Sequence, residues 1–484
     1  MNIRAIVFYI GYILRLEALM LLPSIGIALY RHEMSCVVAF LIAFAVLMIV
    51  GQGMVMLKPN DRSIRAKEGF VIVALGWIFM SVFGCLPFIL SGYIPNFVDA
   101  LFETTSGFTT TGATILTDVE VLPRSLLYWR SFTHWVGGMG VLVFMLAIVP
   151  SSKGSGDSLH ILHAESPGPV VGKLVPKMRF TARILYAIYI VLTVIEIILL
   201  VAGGMPFFDS LIHAFGTAGT GGFSNMNLSV AAYNNVYFEI VIGVFMALFG
   251  VNFTIYHCAL VGDFKSVFRN EELRLYFLIL VCAILAITIN ILPLYGNSFF
   301  TSLRYSFFQV SSIMTTTGFS TADFSEWPEF SRLLLIALMI IGACAGSTGG
   351  GIKVSRLLIL GKSAMHTLRK LSHPQSVSVL RIDGRKIGDN VLSSVNGFLV
   401  IYLGICAASI VIVSLDNLDT ATTISAVFAC LNNIGPGLNV VGPLGNYNVF
   451  SGLSKVVLIF DMLLGRLEIF PIVMLFSPMT WRRL

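Results

Sequence analysis

Four short segments of this chain contain the residue types best suited to binding an ion. Each ends in a glycine that follows threonine, glycine or isoleucine. Backbone carbonyls can replace the hydration shell of a monovalent cation without a titratable group, and glycine tolerates conformations that aim successive carbonyls inward. We therefore interpret the segments as cation-binding. The candidate ligands are Thr110, Thr111, Gly112, Thr220, Gly221, Gly222, Thr316, Thr317, Gly318, Asn433, Ile434 and Gly435.

The four segments recur in register with the same flanking elements. Their final glycines lie 110, 96 and 117 residues apart, a spacing that suits two spanning helices and a short hairpin. The stretch of about 10 to 12 residues before each glycine is too short to span a membrane and indicates a re-entrant half-helix. A long helix M1, a half-helix P, an extended segment and a helix M2 thus form a unit that occurs four times. The alternative is four outer loops whose threonines and glycines only make turns.

The four copies are not identical. Repeats one and three carry Thr-Thr-Thr-Gly, whereas repeats two and four carry Gly219-Thr-Gly-Gly222 and Asn432-Asn-Ile-Gly435. Since one glycine is common to all, we expect fewer ordered ion sites, and less fine selectivity, than in a tetrameric potassium channel. Asp99 and Asp209 stand thirteen residues before their glycines, where an acid can cap the start of a helix.

Composition places these elements in a membrane. Of 484 residues, 56% are hydrophobic and 12% charged, about half the charged fraction of a soluble domain. The periodicity is helical, which argues against an outer-membrane barrel. We predict an all-α integral membrane protein with four M1–P–M2 repeats in pseudo-fourfold arrangement around a pore, plus two N-terminal transmembrane helices. The predicted units are 1–60 for the N-terminal pair, then 61–152, 178–262, 271–365 and 386–484 for the repeats.

The positive charges lie mainly on one side of this topology. If successive loops alternate between sides, 23 of the 31 Lys and Arg residues share one side, which the positive-inside rule assigns to the cytoplasm. The chain is thus predicted to be a multi-pass protein of a bacterial-type cytoplasmic (inner) membrane, with both termini cytoplasmic. The four glycine segments enter from the outside, where acidic residues such as Asp118, Asp323 and Asp416 would enrich cations.

Two features could control a pore. The glycine-rich stretch 343–352 interrupts M2 of repeat three, where each glycine costs about 1 kcal/mol of helix propensity relative to alanine. Arg466 lies within the last long apolar segment, and an ionisable residue at that depth is a functional candidate by default. The alternatives are a close-packing surface for the glycines and a structural ion pair for Arg466, with Glu468 or Asp461 as partner. The candidate gate residues are Ala345, Gly346, Ser347, Thr348, Gly349, Gly350, Gly351 and Arg466.

Enzymatic motifs are missing from the sequence. It contains no HExxH or GxSxG, its eight histidines are dispersed, and His160 and His163 fit a solvated loop better than a metal site. A phosphate-binding loop at Gly361-Lys362-Ser363 is disfavoured because Arg356 stands where the motif needs glycine. We predict that the chain is not an enzyme and holds no tightly bound cofactor.

The motifs as a set resemble a known family over nearly the whole chain. The chain resembles TrkH-type potassium uptake subunits of the Trk/Ktr/HKT superfamily of potassium transporters, and its two extra N-terminal spans favour the TrkH branch. The motifs are Thr-Thr-Thr-Gly112-Ala-Thr, Gly-Gly222-Phe-Ser, Thr-Thr-Gly318-Phe, Leu-Asn-Asn-Ile-Gly435-Pro-Gly-Leu, Gly-Ala-Cys-Ala-Gly-Ser-Thr-Gly-Gly-Gly351-Ile-Lys and Leu-Gly-Arg466-Leu-Glu.

This resemblance implies more than the residues show alone. Glycine at all four filter positions accompanies potassium preference in the family, so K+ is the implied transported ion. The family also implies an intramembrane gate loop at 343–352 and an arginine, here Arg466, that opposes cation passage from below the filter. Implied partners are a second copy in a homodimer, membrane lipid, and a cytosolic nucleotide-binding regulatory ring of the TrkA type. That ring would contact cytoplasmic segments such as 150–181 and 362–389, and no nucleic acid is implied.

Gated, channel-like potassium uptake is the function this sequence predicts. The runner-up is a secondary transporter that moves K+ with H+ or Na+. Broken helices also occur in such carriers, but there they usually form inverted pairs around one midplane site. Four direct repeats favour a pore.

Overall fold

The computed structural model describes residues 1–59, 65–140, 178–373 and 379–481. Most of the basic segment expected at 150–181, with His160 and His163, lies outside these residues, as does the end of M2 in repeat one. Among the described residues, six helices are long and apolar enough to cross a membrane, and a pair bent by 92° adds a seventh span if it counts as one.

The N-terminal pair forms a tightly packed hairpin. Its helices are α1 (Ile3–Met20), α2 (Leu22–Tyr30) and α3 (Met34–Met56). Gly11 and Gly51 face each other so closely that a Cβ on Gly11 would lie 2.7 Å from the Gly51 carbonyl oxygen. Small residues at such a crossing allow backbones to approach in lipid. The hairpin shares one buried core with repeats one and four.

Repeats one and two follow the predicted order of long helix, half-helix and second helix. Repeat one consists of α4 (Ala66–Gly84), α5 (Leu86–Leu90), α6 (Phe97–Phe108) and α7 (Arg124–Gly138). Repeat two consists of α8 (Met178–Ala202), α9 (Phe207–Gly219), α10 (Val236–Phe249) and α11 (Phe253–Leu260), and α12 (Phe264–Arg269) connects it to repeat three.

Repeats three and four have the same order. Repeat three consists of α13 (Glu271–Ile291), α14 (Phe299–Met314), α15 (Glu329–Ile340) and α16 (Val354–Ser372). A hairpin of β1 (Arg381–Ile382) and β2 (Arg385–Lys386) leads into repeat four. Repeat four consists of α17 (Asp389–Val413), α18 (Thr420–Leu431), α19 (Gly452–Arg466), α20 (Phe470–Phe476) and α21 (Pro478–Trp481). Among the described residues, short 3-10 helices lie at Ser229–Tyr233, Leu292–Tyr295, Phe324–Glu326, Ser414–Asp416 and Asn439–Val441.

The half-helices are α6, α9, α14 and α18, and the first two do not begin as predicted. The cap of α6 is Asn96, whose side chain accepts from the Val98 amide at 2.8 Å, and α9 begins after Pro206 without a side-chain cap. The expectation that Asp99 and Asp209 cap these helices was wrong. Both acids lie in the first turn of their helices and bond elsewhere: Asp99 pairs with Lys455 at 2.6 Å, and Asp209 accepts from the Asn225 side chain at 3.0 Å.

The second helix of each repeat ends or breaks after 12 to 15 residues. Helix α7 ends at Gly138, α10 breaks before Asn252, and α15 gives way to an irregular loop at Ile341. After α19, Ile469 has a φ of +70°, and the Phe470 amide bonds to the Glu468 carbonyl at 2.8 Å. That γ-turn is rare and strained. Among the described residues, these breaks leave the second helices too short to count as continuous spans.

The all-α membrane fold predicted from the sequence is confirmed. Among the described residues, the only sheet is the hairpin 381–386, whose two strands have two residues each and lie outside the apolar helices. Its turn residue Asp383 accepts from the Glu271 amide at 2.8 Å and from the Asn270 side chain at 3.0 Å. The hairpin is therefore attached to the start of α13.

Candidate functional site

The four glycine segments, residues 110–112, 220–222, 316–318 and 433–435, leave their half-helices by the same turn. In each, the amide just before the last glycine bonds to the carbonyl five residues earlier. These bonds are Thr111 to Ser106 at 2.9 Å, Gly221 to Gly216 at 2.8 Å, Thr317 to Ser312 at 2.8 Å and Ile434 to Ala429 at 2.8 Å. The C-terminal ends of the half-helices, which carry partial negative charge, therefore face the glycine segments.

Backbone conformation is also shared by all four segments. The first residue and the last glycine of each have positive φ, an uncommon state for a non-glycine residue. The values are 55° and 83° for Thr110 and Gly112, 55° and 76° for Thr220 and Gly222, 60° and 86° for Thr316 and Gly318, and 55° and 94° for Asn433 and Gly435. The sequence differences in repeats two and four thus leave the backbone path unchanged.

The segments close into a ring. A Cβ on Gly112 would collide with the carbonyl oxygen of Gly221 in the next repeat. The same relation joins Gly222 to Thr317, Gly318 to Ile434, and Gly435 back to Thr111. At each position only glycine leaves room for the neighbouring carbonyl.

Most carbonyls in this ring lack a protein partner. Among the described residues, ten of the twelve carbonyls in the glycine segments have no hydrogen-bond donor. The Gly435 carbonyl accepts from Tyr447 at 2.7 Å, and the His134 side chain interacts with the Gly221 backbone. Buried backbone carbonyls in proteins are normally paired. These groups can therefore accept an ion or water as ligand.

An ion pair that the sequence analysis missed supports repeats one and two. Arg130 of α7 and Glu103 of α6 are 3% and 0% exposed, and their Nε and Oε1 atoms lie 2.5 Å apart. Glu103 also accepts from the Ile115 amide at 3.0 Å, and Arg130 donates to the Ser224 carbonyl at 3.0 Å. The pair fixes the chain just beyond two of the four glycines. The sequence did contain a signal for this pair, since Glu103 and Arg130 are charged residues within otherwise largely uncharged helices.

The Gly-rich loop, residues 341–353, lies against the glycine segments on the side of their half-helix ends. The Gly350 amide donates to the Thr316 hydroxyl at 2.7 Å. A Cβ on Gly350 would collide with the Asn432 carbonyl oxygen, and one on Gly349 would lie 3.0 Å from the Thr315 carbonyl oxygen. Cations leaving the ring on this side would meet the loop first.

The loop is held at its ends and from two neighbouring helices. Its ends are joined where the Gly342 amide donates to the Ile352 carbonyl at 2.9 Å. Glu272, near the start of α13, accepts from the amides of Ala345 at 2.6 Å and Ser355 at 3.1 Å through a single carboxylate oxygen. Where α10 breaks, the Phe253 amide donates to the Gly346 carbonyl at 3.1 Å.

Lys353, at the end of the loop, bonds back into it. Its ammonium group is buried and donates to the carbonyl oxygen of Gly349. The Lys353 ammonium group thus connects the C-terminal end of the loop to its glycine-rich middle.

Arg466 joins three repeats beneath the ring. It donates to the Thr348 carbonyl of the Gly-rich loop at 2.7 Å and to the Thr110 hydroxyl at 3.2 Å. Its other terminal nitrogen donates to the carbonyls of Gly137 and Gly138, at the end of α7. The guanidinium group therefore lies between the first glycine segment and the loop.

The acids expected beside Arg466 have different partners. Glu468 forms a buried ion pair with Arg356 of α16, and Asp461 accepts from the Ser409 hydroxyl at 2.8 Å. The alternative of a structural ion pair between Arg466 and either acid has no hydrogen bond or ion pair to support it among the described residues. Backbone carbonyls satisfy the arginine instead. Proximity in sequence therefore did not predict which groups bind Arg466, because its partners Thr110 and Thr348 come from other repeats.

Comparisons with known proteins find relatives along nearly the whole chain. A model of the TrkH family, described as cation transport protein, matches residues 37–483. The chain is 36% identical over 495 residues to the Trk system potassium uptake protein TrkH of Salmonella typhimurium, and all of both chains is covered. It is 34% identical over 485 residues to the Trk system potassium uptake protein TrkG of Escherichia coli, with 99% of each covered.

A solved structure is similar over the same length. The crystal structure of the potassium transporter TrkH from Vibrio parahaemolyticus matches with a TM-score of 0.88 at 32% identity, covering 100% of both chains. These relatives are transport proteins, which confirms that the chain is a transporter and not an enzyme. The resemblance drawn from the sequence motifs is confirmed as well: the chain belongs to the TrkH family of cation transport proteins.

Proposed function

We propose that this chain takes up potassium through a channel-like pore in which the four glycine segments are the selectivity filter. The observation that carries the proposal is the ring of carbonyls in the glycine segments, ten of which have no donor among the described residues. A dehydrated K+ needs several oxygen ligands of partial negative charge, and the half-helix ends add to the negative potential at the same place. The named relatives of the chain are potassium uptake proteins.

The filter mouth would face the outside of the cytoplasmic membrane, with both termini in the cytoplasm. This orientation is supported by the distribution of Lys and Arg, which lie mainly on the opposite side. K+ entering from the mouth would then move inward down the membrane potential. Each 100 mV is worth about 2.3 kcal/mol for one elementary charge.

The Gly-rich loop and Arg466 would form the gate. A guanidinium group at the exit of the filter repels a cation that has lost its water, because the site is of low dielectric. The loop adds a steric barrier at Gly349 and Gly350. Opening would therefore require the bond between Arg466 and Thr348 to break and the loop to move away from the filter.

Regulation would come from partners that bind on the cytoplasmic side. We propose a homodimer, each protomer with its own pore, and a TrkA-type nucleotide-binding ring. The hairpin 381–386 offers such a ring a mechanical connection, since Asp383 bonds to the start of α13 and the adjacent Glu272 holds the loop. The phrase "Trk system" in the names of the relatives supports a multi-component assembly.

Rubidium uptake into proteoliposomes tests this function. The purified chain would be reconstituted with K+ inside, and labelled Rb+ uptake followed under an imposed inside-negative voltage, with and without a pH gradient and with and without Na+. We expect uptake that follows voltage alone. Uptake that requires a proton or sodium gradient would establish the symporter instead.

A further inference from the structure

The extracellular loop of repeat four places a tyrosine against the filter itself. Tyr447 lies between the fourth glycine segment and α19, and its side chain is 2% exposed. Its hydroxyl donates to the Gly435 carbonyl oxygen at 2.7 Å, and its own amide donates to the Thr114 carbonyl of repeat one at 2.8 Å. The ring packs between Phe102 and Phe450, with centroids 5.5 and 5.6 Å away.

Repeats one to three lack this arrangement in the described chain. There, side chains bond to the backbone of residues that follow the glycine. The Ile115 amide donates to the Glu103 carboxylate at 3.0 Å, and the Ser312 hydroxyl donates to the Phe319 carbonyl at 2.6 Å. No described group donates to the carbonyls of Gly112, Gly222 or Gly318. Those three glycines are partly exposed to the mouth, whereas Gly435 is buried. The outermost ring of filter carbonyls is therefore chemically asymmetric.

We propose that Tyr447 is a positioning residue that tunes ion selectivity by restraining and partly neutralising the Gly435 carbonyl. The inference rests on the proposed function, because it takes the four glycine carbonyls as ligands. A carbonyl that already accepts a hydrogen bond offers less negative potential to a cation and moves less freely.

The direction of the effect follows from the competition between hydration and coordination. Selectivity for K+ over Na+ depends on the number and field strength of the coordinating dipoles. Na+ is smaller and more strongly hydrated, so it needs stronger or more closely approaching ligands to leave water. The Tyr447 hydroxyl weakens one ligand and stops it from collapsing onto the smaller ion, which favours K+.

The substitution Tyr447→Phe removes the hydroxyl and keeps the ring between Phe102 and Phe450. Reversal potentials would be measured in reconstituted membranes with K+ on one side and Na+ on the other. We expect the K+/Na+ permeability ratio to fall about two- to tenfold, the range of one ordinary hydrogen bond, while K+ flux persists. Tyr237→Phe is the control, because its hydroxyl donates to the Leu199 carbonyl at 3.0 Å, away from the filter.

The outcomes separate this inference from the proposed function. If the Phe variant carries K+ at the wild-type ratio, Tyr447 has no role in selectivity and the filter assignment is untouched. If the wild type carries no voltage-driven K+, the proposed function fails first. Should the variant conduct nothing, stabilisation of the purified protein against heat by K+ and by Na+ gives the affinity ratio instead. An unchanged ratio in that measurement overturns the inference too.

Discussion

Arg466 of repeat four donates a hydrogen bond of 2.7 Å to the carbonyl oxygen of Thr348 in repeat three. Arg466 is the last residue of α19, and Thr348 lies in the Gly-rich loop. This bond joins the two parts of the proposed gate, the guanidinium group and the Gly-rich loop. Breaking it is the smallest change expected to open the pore.

Arg466→Ala removes both the charge and its four carbonyl and hydroxyl contacts. Since a hydrogen bond to a charged group contributes about 1.5–3 kcal/mol, we expect Rb+ flux without any regulator to rise about tenfold or more. Arg332→Ala is the control, because Arg332 lies on the mouth side and pairs with Glu329. Unchanged flux at matched reconstitution would show that Arg466 is not a barrier.

The Glu272 carboxylate should act as an anchor for the Gly-rich loop. Glu272→Ala removes the oxygen that accepts from Ala345 and Ser355, and we expect higher basal flux together with a lower melting temperature. Glu272→Gln keeps a carbonyl oxygen that can accept both bonds and should lie between the Ala variant and the wild type. Glu271→Ala is the matched control, since that carboxylate pairs with Lys362 of α16 instead. Equal flux for all three variants would argue against an anchoring role.

Gly222→Ala tests the closed ring. The new methyl group would collide with the Thr317 carbonyl oxygen. In addition, Gly222 has a φ of +76°, a conformation that disfavours any residue with a Cβ. We expect K+ uptake to fall by about tenfold or more, since left-handed backbone costs about 1–2 kcal/mol before the collision is counted. Gly404→Ala introduces the same methyl group in α17 where nothing lies within 4 Å. Uptake measured in potassium-starved cells should separate the two.

The buried pair of Glu103 and Arg130 should show strong coupling in a double-mutant cycle. Removing one partner leaves a buried charge, and each of Glu103→Gln and Arg130→Met should destabilise the protein by about 3–5 kcal/mol. The double variant should recover part of that loss, as measured by thermal unfolding in detergent. Losses that simply add would mean that the two side chains act independently.

Sequence reasoning predicted the parts of this molecule that depend on local pattern. Long apolar segments, short amphipathic ones and a glycine at a fixed place are each visible over about 20 residues, so the membrane fold could be inferred. Asn433 and Thr220 adopt the conformation of Thr110 although their segments differ, because a shared turn and a shared neighbour impose it. The glycine that recurs at the end of each segment was the sequence feature that predicted this common conformation.

The partners of the charged residues could not be predicted. Asp99 pairs with Lys455, 356 residues away, and Arg130 reaches the Ser224 carbonyl of another repeat. Which side chains meet depends on how the repeats are arranged around the axis, and helix spacing alone does not encode this. The same reason explains why Glu468, two residues from Arg466, pairs with Arg356.

Around the ring, the final glycine of each segment contacts the carbonyl of the next repeat, always in the same direction. All four segments belong to a single chain. In a tetramer built from a short gene, every codon change alters four positions at once. Here one codon alters one quarter of the ring, and Tyr447 exists in a single copy. With the ring as its proposed filter, such a chain could change its ion preference in small steps, each testable by mutation, that a fourfold symmetric assembly cannot take.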